Sequence, residues 1–351
     1  MITQQTVNWP KLVSFIMVLL GGSAAAVASE SADPLFQTND TLEVVIEAPL
    51  ATLIVKRPKD DYLPGILRYS DGAEIDTELD LEITTRGHSR HDYCDFPPLW
   101  LNFKKSQTEG TLFDGQDKLK LVVHCEQSSK FEQFVLREYL VYRLLNLITD
   151  NSFRVRLLRV NYVDTEGRRS DITRYAYLIE HKNRLGKRIG RDDMQIERTM
   201  VSAIQPDHLN LTSIFAYMVG NTDFSPVAGH PRNECCHNYV LFTNEVDPIM
   251  VIPYDFDQAG LVDAPYALPA AQFGIKTVRQ RVYRGRCVNN EYVEASLQQI
   301  RDSRDEIFEL IAQQEGLQNS TRKKVSGYIE DFFKLIDNPK KVKREILDEC
   351  I

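Results

Sequence analysis

Cysteine is scarce: there are six in 351 residues, too few for a disulfide scaffold in so long a chain. No C-x-x-C pair with matching histidines is present, which argues against a zinc site. Basic charge is not in excess either. Lys and Arg number 42 against 50 Asp and Glu, a formal net charge of -8. The chain therefore lacks the basic stripe that a nonspecific nucleic-acid binder needs to displace counterions, and no nucleic-acid partner is expected. It has no internal repeat and no low-complexity stretch. Beyond the N-terminus no apolar run is long enough to span a bilayer. What is present, 43% hydrophobic and 26% charged residues, can bury a sizeable core and excludes disordered, collagen-like and multi-span membrane classes.

The one long apolar run stands at the start. Lys11 precedes Leu12 to Leu20, followed by Gly21-Gly22-Ser23 and the small-residue ending Ala26-Val27-Ala28. That order predicts a secretory signal over 1–28, cut after Ala28; an uncleaved anchor helix is the alternative. The expected location is secreted or periplasmic, with no stable membrane span after cleavage. In such a compartment the cysteines can oxidise. Cys94–Cys125, and one of Cys235 or Cys236 with Cys287, are the preferred pairs, because adjacent cysteines rarely bond each other.

Residues 29–41 read as a polar leader. From 42 the pattern is short and alternating, with strands expected at Leu42–Ile46, Thr52–Val55, Leu79–Ile83, Leu99–Phe103 and Leu119–Val123. Asp71-Gly72 and Asp114-Gly115 mark turns. A long helix is expected from Ser129 to Thr149, then strands at Arg154–Val163 and Arg174–Glu180. After residue 190 the balance shifts toward helix: Leu209–Val219 ending at Gly220, Tyr292–Gln314 and Thr321–Ile336. Short strands fit Tyr239–Phe242 and Ile249–Pro253. The predicted architecture is α+β: a β-rich N-terminal lobe over 42–182 with one main helix, and a mainly helical C-terminal lobe over 183–351.

Two clusters carry chemistry. Glu138 lies within an apolar helix face made by Phe131, Phe134, Val135, Val141, Tyr142 and Leu145, where a carboxylate needs a partner. Lys120, alternating with Leu119 and Leu121 on the preceding strand, is one candidate and the neighbouring Arg137 another. Lys118 shares the strand face of Lys120 and is its alternative. The second cluster runs from Asn221-Thr222-Asp223 through His237-Asn238-Tyr239-Val240-Leu241-Phe242 to Pro253-Tyr254-Asp255-Phe256-Asp257. In an extended chain Asp255 and Asp257 point the same way. Two carboxylates with an asparagine oxygen suit a hard cation such as magnesium, manganese or calcium. Asp223 can orient a hydroxyl nucleophile or accept its proton.

These motifs, together with Arg86-Gly87-His88-Ser89, Trp100-Leu101-Asn102-Phe103-Lys104, Leu136-Arg137-Glu138-Tyr139-Leu140 and Tyr177-Leu178-Ile179-Glu180, resemble the spore-coat protein H (CotH) kinase family. The resemblance covers roughly residues 80 to 290. It implies a bilobal protein-kinase-like fold with an antiparallel sheet lobe, in which Lys120 contacts ATP phosphates and Glu138 orients it. Glu180 would fall where the cofactor meets the inter-lobe hinge. Asp223 would be the catalytic base, and Asn238 with Asp255 or Asp257 would carry Mg2+ or Mn2+. The implied function is transfer of the ATP γ-phosphoryl group to a hydroxyl of an exported protein or small molecule. A catalytically silent binding module and a metal-dependent phosphoester hydrolase are the alternatives. The family has only a few residues between the aspartate and the metal asparagine; here Phe224 to His237 intervene, and no Gly-rich loop precedes Lys120.

Overall fold

The computed structural model describes Met1 and residues 33–70, 77–229 and 235–351. The expected signal segment apart from Met1, residues 29–32 of the leader and the Asp71-Gly72 turn lie outside the described residues. Alternating side chains build seven strands: β1 (Leu42–Ala48), β2 (Leu63–Tyr69), β3 (Thr77–Thr85), β4 (Leu99–Phe103), β5 (Lys118–Val122), β6 (Val155–Asp164) and β7 (Ile172–Ile179). They join in the order β1-β2-β3-β4-β5-β7-β6 and close into a barrel. Closure is by a parallel pairing of β1 with β6, in register from Leu42↔Leu158 to Ala48↔Asp164. One side-chain set of each strand fills the interior, including Leu81, Ile83, Leu101, Leu119, Leu121, Val160 and Tyr162.

The expected bilobal kinase-like fold with an open antiparallel sheet is therefore incorrect: the sheet is a closed, mixed seven-stranded barrel. Two features hid this. Strand β2 begins Leu63-Pro64-Gly65, residues that interrupt a strand pattern, yet it pairs with both β1 and β3. The β1–β6 contact joins segments more than a hundred residues apart, and local alternation carries no record of it. Thr52–Val55 was expected as strand and is instead part of helix α1 (Leu50–Lys56), which buries Leu50, Ala51, Leu53 and Ile54. That i, i+1, i+3, i+4 set is one helical face, too short to be told from a strand by period alone.

Short helices α2 (Ser89–Tyr93) and α3 (Lys105–Thr108) flank β4, and α4 (Glu132–Ile148) follows β5. Helix α5 (Lys182–Arg188) follows β7. Strand β8 (Asp192–Met194), helix α6 (Pro206–Val219), and strands β9 (Tyr239–Thr243) and β10 (Met250–Pro253) come next. The expected helix over Tyr292–Gln314 is two, α7 (Val293–Asp302) and α8 (Arg304–Gln313), before α9 (Asn319–Ile336). Helix α4 lies on the outside of the barrel, and the core there is continuous. Val122, Val155, Tyr177 and Ile179 of the barrel exterior join α4, α6, Phe256 and the C-terminal helices in one apolar cluster.

Cys94 pairs with Cys125 as expected. The other preference is overturned: Cys287 pairs with Cys350, and Cys235 with its neighbour Cys236. The C-terminus explains the first correction, because it runs beside residues 285–287. Cys287 N–H donates to the Ile351 carbonyl at 3.2 Å, and Ile351 N–H to that of Gly285 at 2.9 Å, which brings Cys350 alongside Cys287. Among the described residues no helix is long and apolar enough to cross a membrane.

Candidate functional site

The end of the β9–β10 hairpin assembles the second motif cluster. Antiparallel pairing ends at Tyr239↔Pro253, and the Tyr254 N–H then donates to the Asn238 carbonyl at 3.0 Å. Asn238 and Asp255 consequently stand at one end of one hairpin. Both adopt left-handed backbone, with φ of 53° and 61°, a conformation Asn and Asp tolerate better than most residues. The left-handed turn at Asp255 breaks the extended geometry expected for the Asp-Phe-Asp run. Asp255 is exposed and Asp257 only 7% exposed, so the two carboxylates do not project alike. Phe256, fully buried, packs 4.8 Å from Tyr142 and 6.0 Å from Phe215 between ring centroids. Burying such a ring contributes about 1.5–3 kcal/mol and pins the segment. The Tyr142 hydroxyl on α4 also accepts the Asp255 N–H at 2.8 Å.

Asp223 reaches the same place from α6. That helix ends at Gly220, whose φ of 69° allows the cap; a Cβ there would overlap the Tyr328 hydroxyl. Asn221 Oδ1 accepts the Asp223 N–H at 3.0 Å, a side-chain turn that orients the aspartate. The long stretch from Phe224 to His237 does not separate Asp223 from Asn238. Ser225 and His237 pair as an antiparallel bridge, with N–H to carbonyl distances of 2.9 and 3.1 Å, which sets the two ends of that stretch side by side. Asn238 Nδ2 then donates to the Asp223 carbonyl at 2.7 Å and to its Oδ2 at 3.1 Å. His237 Nε2 lies 2.7 Å from Asp223 Oδ1. That hydrogen bond, more than the nearby charges of Asp223 and Asp255, raises the His237 pKa against burial.

On α4, Glu138 is 3% exposed and its partner is neither Lys120 nor Arg137. Arg90 on α2 is 3.2 Å away and also donates to the Val123 carbonyl at 2.8 Å. Arg137 instead bonds the Gln133 carbonyl and stacks on Phe134, 4.5 Å from its centroid. Burial raises the Glu138 pKa, Asp255 adds to the rise, and Arg90 opposes it. Burial also drives Asp257 well above the usual carboxylate range, reinforced by Asp255, Glu138 and Asp223. The acidic groups of both clusters thus act on one another. Facing them, the Lys120 ammonium sits 4.9 Å from the Tyr254 ring centroid and 5.8 Å from that of Trp100. Its pKa is pushed down to about 8 by burial and by Arg86 and Lys182, with Asp255 opposing. Arg86, stacked 5.7 Å from the Trp100 centroid, has a buried Nε without a hydrogen-bond partner; burial lowers its pKa, with Asp255 opposing.

The structure thus gathers Lys120, Glu138, Asp223, Asn238, Asp255 and Asp257 around one region. Glu180 is committed elsewhere: both its oxygens bind Arg188, at 3.1 and 2.9 Å, and Oε2 also accepts the Arg154 N–H at 3.0 Å. It ties β7 to α5. Arg86, Arg90, Tyr142 and His237 are site residues the motif reading did not assign a role. The need for a partner to Glu138 was visible, but nothing local marks Arg90, 48 residues earlier.

Among the described residues no group of three or more His, Cys, Asp and Glu side chains is arranged to hold a metal ion. Mg2+ does not require one. It is usually held by one or two carboxylates, with waters and substrate phosphates completing six ligands. The oxygens that could supply such ligands are those of Asp255, which is exposed, of Asp257, which is buried, and of the Asn238 amide, whose Nδ2 is committed to Asp223. No protein-family model and no curated protein matches this chain.

Proposed function

We propose that the chain is a metal-dependent phosphotransferase, exported from the cell, that moves the γ-phosphoryl group of ATP to a hydroxyl of an exported protein or small molecule. The observation that carries this reading is the return of the chain after residue 224. It sets Asp223 against Asn238 at the same hairpin end as Asp255, facing the cations Lys120, Arg86 and Arg90. Phosphoryl transfer asks little covalent chemistry of a protein; it needs positioned charge on the phosphates and an oriented acceptor. Lys120, with a pKa near 8, remains mostly cationic at neutral pH and suits the phosphate oxygens. A divalent ion on Asp255, Asp257 and Asn238 would neutralise the remaining phosphate charge. Asp223 receives the acceptor proton as the new O–P bond forms and the bond to ADP breaks, while His237 and Asn238 hold its carboxylate in place. The motif resemblance to the CotH kinases supports the chemistry, and the closed barrel lends no support to a kinase fold. Export is supported by the N-terminal signal pattern together with three disulfides.

A binding module without catalysis is the second reading, favoured by one observation: Glu138 spends its charge on Arg90 and not on Lys120. Thermal shift separates the two. ATP with Mg2+ or Mn2+ is expected to raise the melting temperature of the wild type, and Asp255→Ala to abolish the rise. No shift at millimolar nucleotide would sink the phosphotransferase. Phosphate release without a phosphorylated acceptor would turn the assignment to hydrolysis.

A further inference from the structure

A cavity of about 300 Å3 opens on the rim of the barrel, lined among others by Lys105, Asp117, Lys118, His181, Arg184 and Lys187. None of Lys120, Glu138, Asp223, Asn238, Asp255 and Asp257 lines it. Strand register explains the gathering. Lys118 opposes Asn102 on β4, and Lys120 opposes Ile179 on β7; continuing the second ladder sets His181 beside Lys118. Helix α3 starts at Lys105 directly after β4, and α5 carries Arg184 and Lys187 three residues apart, on neighbouring positions of one helix face. Four cationic side chains gather there against two carboxylates, Lys105 paired with Asp117 at 3.3 Å and Arg184 with Asp33, an excess of positive charge in a chain of net charge -8.

The walls are built to hold that charge. Gly115, with φ of 73°, leaves room that a Cβ would deny to the Arg184 guanidinium. Arg184 Nε donates to Asp33 Oδ2 at 2.8 Å, and Gln116 Nε2 to the same oxygen at 2.7 Å, so the guanidinium is fixed against the wall. The Lys118 ammonium is held 4.6 Å from the Trp100 centroid and 5.5 Å from that of Tyr62. His181 Nδ1 accepts the Asn183 N–H at 3.3 Å, which leaves Nε2 as an N–H donor. Burial, with Lys120 and Lys182, lowers its pKa below the ordinary histidine value. Positioned cations from three elements around a volume in the range of small-molecule sites favour a multiply charged anion, since each charge-assisted bond is stronger than a neutral one.

We propose that this cavity binds a small polyanion bearing two or more phosphate or carboxylate groups, at a site that borders the phosphotransferase cleft across Trp100 but is lined by other residues, and without need of metal. The proposal does not rest on the reading of that cleft. Calorimetric titration of the full chain in EDTA, with inorganic tripolyphosphate and with citrate, tests it. At least one is expected to bind; preference for the first assigns a phosphate ligand, and preference for the second a carboxylate one. Lys105→Glu with Lys187→Glu, both exposed and chosen to leave the fold intact, is expected to weaken binding by about tenfold or more. Asp255→Ala should leave it unchanged. Should the double variant melt early, His181→Ala provides the same readout. Absence of binding by both anions at millimolar concentration would overturn the proposal. So would unchanged affinity in the cavity variants, or binding lost in Asp255→Ala, which would move the anion to the acidic cleft.

Discussion

Asp223 and His237 show how a single contact sets protonation in the cleft. His237 is partly buried beside a carboxylate, and its pKa is raised above the ordinary value near 6.5. A raised folded-state value means the contact stabilises the fold fully below the unfolded pKa, and that this contribution is lost as pH rises through the folded one. An NMR pH titration should therefore place His237 above ordinary histidine, and Asp223→Asn should return it toward the ordinary value. A His237 that titrates at or below that value in the wild type would exclude the contact. Asp223, Asn238 and Asp255 were legible because they sit in short ordered motifs. The role of His237 was not, since its ring could be assigned to Asp223 only once Ser225 and His237 were seen to pair.

Between elements, Arg90 acts as a tie: it joins α2 to Glu138 on α4 and to the Val123 carbonyl at the end of β5. Both side chains are largely buried, so removing one strands the charge of the other. Arg90→Ala is expected to cost about 3–5 kcal/mol in urea unfolding at neutral pH. The same substitution in a Glu138→Gln background should cost much less, because the stranded charge is gone. Equal losses in both backgrounds would show that Arg90 contributes packing alone. Helix α4 itself was legible from its apolar spacing, as were β3, β4, β5, β6 and β7 from alternation. Helix α1 and strand β2 were not: seven residues are too few to decide a period, and Pro64-Gly65 disguises a strand that its neighbours nonetheless pair.

At the scale of the whole molecule, the apolar cluster that passes from the barrel exterior through α4 to the C-terminal helices leaves no uncovered boundary near residue 182. A shared core unfolds as one. Trp100 fluorescence, read in a Trp9→Phe chain so that it reports β4 alone, and far-UV circular dichroism, which reports the helices, should follow one coincident transition in denaturant. A fluorescence transition well before the loss of helix would mean that the barrel melts independently. The order of the acidic motifs, the long helix with its buried glutamate and the shortage of basic charge could all be read from the sequence by itself, because period, charge and short motifs are local properties. Barrel closure through β1 and β6, the choice of Arg90 for Glu138, the Cys287–Cys350 bridge and the basic cavity were decided only by the tertiary structure. Each depends on which distant residues the completed core brings within a few ångströms, and no local pattern encodes that distance.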